Sequence, residues 1–286
     1  MGWKLTTLIE NHRDKAEKYE CEHGFSVLIE NTEPGQSIRL LMDTGQSGLF
    51  YDNAVEMGIS LENLDGLFIS HAHYDHAGGV KRLLEEVSVR KMYVGKDFFQ
   101  GKYYEKKDGT LKDIGIAFSR QKVENSCGEV CEIRDDMKRV LPGVTIYRNF
   151  ESVVEYEMLN PYFFIKDFVK GEEKYKQDNF TDEIVLTLDV ADGIIVIAGC
   201  SHPGIINILK AIEKRSGKKI RGVVGGTHLV EADEERLKKT IADLKKMNLD
   251  FIAVSHCTGE ENLDKIKEAF GEKFIFNCTG NIIQIL

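Results

Sequence analysis

Proline is scarce in this chain, four residues in 286, and no Pro/Gly/Ser-rich linker or low-complexity segment breaks it into modules. No apolar run approaches the ~18–20 residues that a membrane helix requires. The opening MGWKLTTLIENHRDK also lacks the apolar segment of a secretion signal. Positive charge is in deficit, with 38 Lys and Arg against 47 Asp and Glu and a net charge of −9. A nucleic-acid groove would have to arise from local patches against an adverse mean field, so no nucleic-acid partner is expected. The six cysteines (21, 127, 131, 200, 257 and 278) are too widely scattered for a disulfide framework. Reduced thiols and a cytoplasmic location, with no membrane association, follow as expectations. What remains is an ordinary globular balance, 42% hydrophobic and 30% charged, in a chain long enough to bury a substantial core. Residues 1–286 read as one domain, with no tandem repeat.

Short β-like runs open the chain. Residues 25–30 end at the turn signal Asn31-Thr32-Glu33-Pro34-Gly35, and residues 37–42 stop at Asp43-Thr44-Gly45. Leu67-Phe68-Ile69 reads as a buried strand, and Val80, Leu83, Leu84 and Val87 then mark one face of a helix. In the last third, residues 184–190 and 194–198 are strands split by Ala191-Asp192-Gly193, a hairpin turn. Helical stripes (205–212; Leu237, Ile241, Leu244; Leu263, Ile266, Phe270) alternate with strands at 223–224, 251–254 and 274–276. This alternation predicts mixed sheets covered by helices, a layered α/β fold. Residues 97–180 fit neither pattern and hold fourteen of the 25 Phe and Tyr residues. They read as an inserted subdomain, either a small core of its own or an aromatic lid over a planar substrate.

Six of the eight histidines follow a short apolar strand beside small residues: His71, His73 and His76, then His202, His228 and His256. In layered α/β folds the carboxyl ends of strands line the ligand crevice, so these imidazoles converge. His12 and His23 lack that context and read as surface groups. The densest signal is His71-Ala72-His73-Tyr74-Asp75-His76. Three imidazoles and a carboxylate are the donors used for zinc, and also for iron or manganese. Residues i and i+2 of extended backbone share a face, so His71 and His73 can grip one ion. A helical turn afterwards would bring Asp75 and His76 to a second.

His71-x-His73-x-Asp75-His76 with Gly78-Gly79, preceded by a strand ending in Asp43-Thr44-Gly45, resembles the signature of the metallo-β-lactamase superfamily. The resemblance runs nearly the whole length and implies a four-layer αββα sandwich with the metals at one edge of the sheets. Gly199-Cys200-Ser201-His202-Pro203-Gly204-Ile205, Gly225-Gly226-Thr227-His228-Leu229 and Ser255-His256-Cys257-Thr258-Gly259 are similar to one branch of it. That branch includes the archaeal dihydropterin-phosphate synthase of methanopterin biosynthesis. Most superfamily members carry Gly-Asp at a strand end after the hairpin, the Asp bridging two metals; here Gly199-Cys200 stands there. No His lies near residues 178–182, where many relatives place a ligand of the first ion.

The resemblance therefore implies two divalent ions, zinc leading, with iron or manganese open. His71, His73 and His202 would hold one, and Asp75, His76 and His256 the other. Cys200 is read as a bridging thiolate or a buried packing residue. Asp75 and His228 are the candidate catalytic residues; for His228 a ligand, a proton donor or phosphate contact, and a wall residue all remain open. Asp43 competes with an aspartic-protease triplet, but that would leave six strand-end histidines unexplained, so it is read as orienting a ligand imidazole. Two functions follow. One is a metal-dependent enzyme, a hydrolase or a dihydropterin-type synthase (a transferase), acting on a small phosphorylated aromatic molecule. That phosphate would be met by the metals, by the helix start after Pro203-Gly204 and by His228. The other is a non-catalytic metal-binding or ligand-sensing protein on the same fold.

Overall fold

In the computed structural model, which describes residues 2–35, 37–169 and 172–286 without the side chains of Phe168 and Val169, neighbouring strand residues enter different cores. Val27 and Ile29 join one buried cluster while Leu28 joins another, and Leu40 and Met42 separate from Leu41 in the same way. Across the molecule Ile195 and Ile197 part from Ile194, Val196 and Ala198. A strand covered on both faces is apolar at every position, which is why these segments read as continuous hydrophobic runs. The central cluster, including Trp3, Phe25, Phe68, Ile146, Leu186 and Val224, lies between two sheets; helices cover their outer faces through the other two clusters. This is the four-layer αββα sandwich expected.

One sheet has seven strands in the order Ile282–Ile285, Trp3–Ile9, Ser26–Asn31, Arg39–Met42, Gly66–Phe68, Val89–Gly95 and Cys127–Ile133. The other has six: Phe251–Ser255, Ile220–Gly226, Gly193–Ala198, Ile184–Val190, Val144–Arg148 and Met137–Leu141. Gly193–Ala198, Ile220–Gly226 and Phe251–Ser255 run parallel, with Val196 opposite Val223 and Val224 opposite Ala253. Their carboxyl ends therefore share one edge. The helix Ile205–Ser216 buries Ile205, Ile208, Leu209 and Ile212 and stops at left-handed Gly217. Asp233 caps the helix Glu234–Lys246 by accepting from Arg236 N.

Residues 97–180 are not one inserted unit. Cys127–Ile133 pairs in parallel with Val89–Gly95 as an edge of the first sheet, and Met137–Leu141 and Val144–Arg148 extend the second. The part that stands apart is a four-stranded sheet of Glu172–Gln177, Phe163–Val169, Lys102–Glu105 and Leu111–Asp113. Its charged neighbours made the edge strands look irregular in sequence. Residues 170 and 171 of the expected insertion, and the ring of Phe168, lie outside the described residues. Residues 274–276 form no strand; a short helix at Gly271–Lys273 leaves only an isolated bridge between Ile252 and Phe274. No helix among the described residues is long and apolar enough to cross a membrane.

Candidate metal centre

The turns that carry His202, His228 and His256, and the one that carries Asp43, leave their strands through strained backbone. Asp43, Ser201, His228 and His256 have φ of 59°, 65°, 49° and 53°, the left-handed region that side chains with a Cβ seldom adopt. Such strain persists where the surroundings over-determine it, and it gathers at functional sites. Close approach of the turns demands glycine. A Cβ on Gly199 would sit 2.2 Å from Ser70 Oγ, and one on Gly226 would sit 2.4 Å from Cys257 Sγ.

The result is a buried cluster. His71 Nε2 lies 3.0 Å from His73 Nδ1 and 3.3 Å from His202 Nε2. His76 Nε2 lies 3.1 Å from both His256 Nε2 and Cys200 Sγ, and Asp75 Oδ2 is 3.3 Å from His256 Nε2. Asp75, His76, Cys200 and His256 form one donor group with ligand atoms within 4.8 Å of one another; His71, Cys200 and His202 form a second. His73 stands outside both groups, although it touches His71. His228 also stands outside, its ring 4.2 Å from that of His202.

Partners behind the cluster orient it. Asp43 Oδ1 accepts from Ser70 N at 2.6 Å, and Oδ2 lies 2.7 Å from both Ser70 Oγ and His76 Nδ1. With Nδ1 turned to Asp43, His76 presents Nε2 to the cluster. This fully committed, buried carboxylate is no protease dyad. Glu183 accepts from Ser201 N at 2.7 Å and His202 N at 3.0 Å. Asp182 accepts from Ala72 N and, with Asp178, binds Lys102 Nζ at 2.6 and 2.7 Å. The small sheet is thereby tied to the His71–His73 turn.

Burial pushes the pKa of His71, His73 and His202 well below the ordinary imidazole value, with neighbouring imidazoles adding to the effect for His71 and His202. His228 and His256 fall to about 4, again chiefly by burial. These five rings are neutral at pH 7, the ligand form. His76 differs: against the cost of burial, Asp75 and Asp43 raise it to about 9. Burial would raise Asp75, but His76 and the hydrogen bonds of His23 and His256 hold it well below the carboxylate range. His73 Nε2 is buried without a hydrogen-bond partner. Neutral imidazoles with facing nitrogens, a carboxylate and an orphaned nitrogen form a set that a divalent cation satisfies.

The cluster floors a cavity of about 680 Å³ walled by Tyr74, Tyr104, Phe163 and Ile114. Phe163 stacks on His73 with centroids 5.5 Å apart, and Phe180 lies flat on His202 at 4.0 Å and 7°. The aromatic segment therefore covers the histidine edge of the sandwich.

Comparison with known proteins places this geometry. Residues 19–176 match the family model of the metallo-beta-lactamase superfamily. The chain belongs to that superfamily. It is 31% identical, over 98% of its length and 96% of the relative's, to the 7,8-dihydropterin-6-methyl-4-(beta-D-ribofuranosyl)-aminobenzene-5'-phosphate synthase of Methanocaldococcus jannaschii. A crystal structure described as a metal-dependent hydrolase of the beta-lactamase superfamily superposes with a TM-score of 0.83 and 27% identity, covering 99% of both chains. Zn(2+)-bound PqqB from Methylobacterium extorquens shares the fold, with a TM-score of 0.56, 9% identity and coverage of 98% and 99%.

Two features of this superfamily member depart from the sequence reading. The helix start after Pro203-Gly204 is filled: Ile206 N and Asn207 N donate at 3.0 and 2.9 Å to the buried Glu157 carboxylate. A carboxylate thus already holds two of the amides that a phosphate would need there. His23 is not an idle surface group, because its Nε2 lies 3.1 Å from Asp75 Oδ2 and its ring 4.9 Å from that of His256. His12 also lines the cavity. Both precede strand Ser26–Asn31 and follow Trp3–Ile9, so a search for histidines directly after strands near glycine passes over them. The usable signal was Gly24, whose Cβ would meet Asp75 O at 2.7 Å.

Proposed function

We propose that the protein is a metal-dependent enzyme that joins or cleaves a small phosphorylated aromatic substrate, with dihydropterin-type transfer as the leading reaction. The observation that carries this reading is the donor cluster at the floor of an aromatic-walled cavity. Full-length similarity to a dihydropterin synthase supports the transfer chemistry. Simple hydrolysis is the second reading, favoured by the likeness to a metal-dependent hydrolase. The alternative is a non-catalytic metal-binding or ligand-sensing protein on the same fold, which the turnover test below separates from an enzyme.

His71, His73 and His202 would hold one divalent ion, and Asp75, His76 and His256 the other. Bound there, the ions would supply the positive charge that stabilises a phosphate or pyrophosphate leaving group. The chain's own groups do the rest. Tyr74, Tyr104 and Phe163 offer ring faces that orient a planar substrate and exclude water. His228, neutral at pH 7 and lining the cavity wall, offers its one ring N–H to a substrate oxygen. Its Nδ1 lies 3.6 Å from Glu231 Oε2, too far for a hydrogen bond, so that carboxylate does not take up the ring's one proton. Lys112 at the rim supplies a cation for a distal phosphate. The substrate read this way is a small molecule, since one or two phosphates can be met locally, whereas a polyanion needs an extended run of Lys and Arg.

The test is elemental analysis of the purified protein, followed by chromatography of reactions containing a dihydropterin pyrophosphate and an aminobenzene ribofuranosyl phosphate. Formation of the joined product supports transfer. Release of phosphate alone would replace transfer by hydrolysis. Absence of turnover on both, and on phosphodiesters and lactones, by protein carrying its metals would overturn the enzyme reading.

A further inference from the structure

We infer that the Cys200 thiolate is a shared ligand that bridges the two metal positions. The inference rests on reading the cluster as a metal centre and adds a donor and a metal preference to it. Cys200 Sγ is common to both donor groups, the only atom of either that is shared. Without it one group keeps two donors, His71 and His202, and the other keeps three. Zinc and its neighbours favour four ligands, so a shared sulfur brings each position one step nearer completion. The position is buried and held: Cys200 is 4% exposed at the end of strand Gly193–Ala198, and its carbonyl accepts from Cys257 Sγ at 3.3 Å.

The two neighbouring thiols are not equivalent. Cys257 Sγ also takes the backbone N–H of His228 at 3.2 Å and belongs to neither donor group. It braces the turns that carry Cys200 and His228, whereas Cys200 Sγ faces His76 Nε2 at 3.1 Å. On binding, the Cys200 thiol releases its proton to solvent and its sulfur completes both positions. A thiolate is a soft donor, so this centre favours zinc, iron(II) or cobalt over manganese and magnesium.

Titration of metal-stripped protein with cobalt(II) tests this by counting bound metal while recording the near-ultraviolet spectrum and paramagnetic resonance. Expected are two equivalents of cobalt, a sulfur-to-cobalt charge-transfer band and magnetic coupling between the ions. Cys200→Ser should abolish the band and weaken the second equivalent at least about tenfold. Cys200→Asp should keep two equivalents without the band, and Cys257→Ser should keep the band. Two bound cobalt ions with no band in the unmodified protein would overturn the inference, whatever the variants do. A band that survives Cys200→Ser, or that vanishes in Cys257→Ser, would also overturn it, and a band without coupling would reduce Cys200 to a terminal ligand. Failure to bind cobalt at all would instead overturn the metal reading beneath it.

Discussion

Replacing Glu157 by Ala should unfold the protein several degrees earlier by uncapping the helix Ile205–Ser216. Both carboxylate oxygens are used, Oε1 by Ile206 N at 3.0 Å and Oε2 by Asn207 N at 2.9 Å. The residue is 1% exposed, so water cannot substitute freely. A lost N-terminal cap costs about 1 kcal/mol and each hydrogen bond to a charged group contributes about 1.5–3 kcal/mol. Against this stands relief from burying the carboxyl, whose pKa burial raises, so the net loss is roughly 2–4 kcal/mol. Unfolding entropy of about 2.1 cal/mol/K per residue gives ~0.6 kcal/mol/K for a chain of this length, hence a fall in Tm of about 3–7 °C. Glu157→Gln keeps one acceptor but points an amide N–H₂ at the other backbone N–H, so it should lose about half as much. Differential scanning calorimetry of the metal-free protein is the assay. A Glu157→Ala variant melting within 1 °C of the parent would refute the capping argument. So would a Gln variant less stable than Ala.

Three further outcomes are expected. Asp43→Asn places an amide where His76 Nδ1 now meets a carboxylate, favouring the tautomer protonated on Nε2; metal affinity by chelator competition should fall about 10–100-fold, and unchanged affinity would refute the orienting role. His228→Ala should lower turnover or weaken substrate binding with both metal equivalents retained, and loss of an equivalent would make His228 a ligand. Between pH 7 and 9 the metal-free protein should lose stability. Burial raises Glu10 and Glu183 to about 8, and His76 stands near 9, so the fold holds protons there that the unfolded chain has released. Urea unfolding across that range reads the slope; Glu183→Gln should flatten it, and stability rising with pH would contradict the assignment.

The layers of the fold were legible because each strand is apolar in a way helices cannot mimic at such length. Residues 194–198 and 184–190 with Ala191-Asp192 between them admit hardly any other reading, and Val190 does pair with Gly193. Edge strands were not legible. Met137–Leu141 sets Lys138 and Arg139 side by side and is largely exposed, so its pattern matches a loop until its partner is known. Cys127–Ile133, with Glu129 and Glu132 inside it, fails for the same reason. Strand Ile282–Ile285 depends on pairing with Trp3–Ile9 at the other end of the chain, a contact no local pattern encodes.

In the site, donors were visible and their supports were not. Ligand-type residues cluster in sequence because a strand end delivers them together. The carboxylates that hold those turns do not: Glu10 accepts from Ser255 Oγ beside His256, Glu183 from the amides of Ser201 and His202, and Glu157 from the helix that follows. Each acts across the fold, and each is a buried acid of a type usually found on surfaces. Their placement has a common physical reason. Left-handed Ser201 and His256 strain the backbone by an amount on the order of 1–3 kcal/mol apiece, and only contacts at least as strong keep such turns closed. Apart from His76, the imidazoles at the centre are neutral and offer no attraction for one another, so the clamps must come from behind. The cluster is thus built as a cation site braced from outside, and the bracing would be strongest once an ion joins the nitrogens in front.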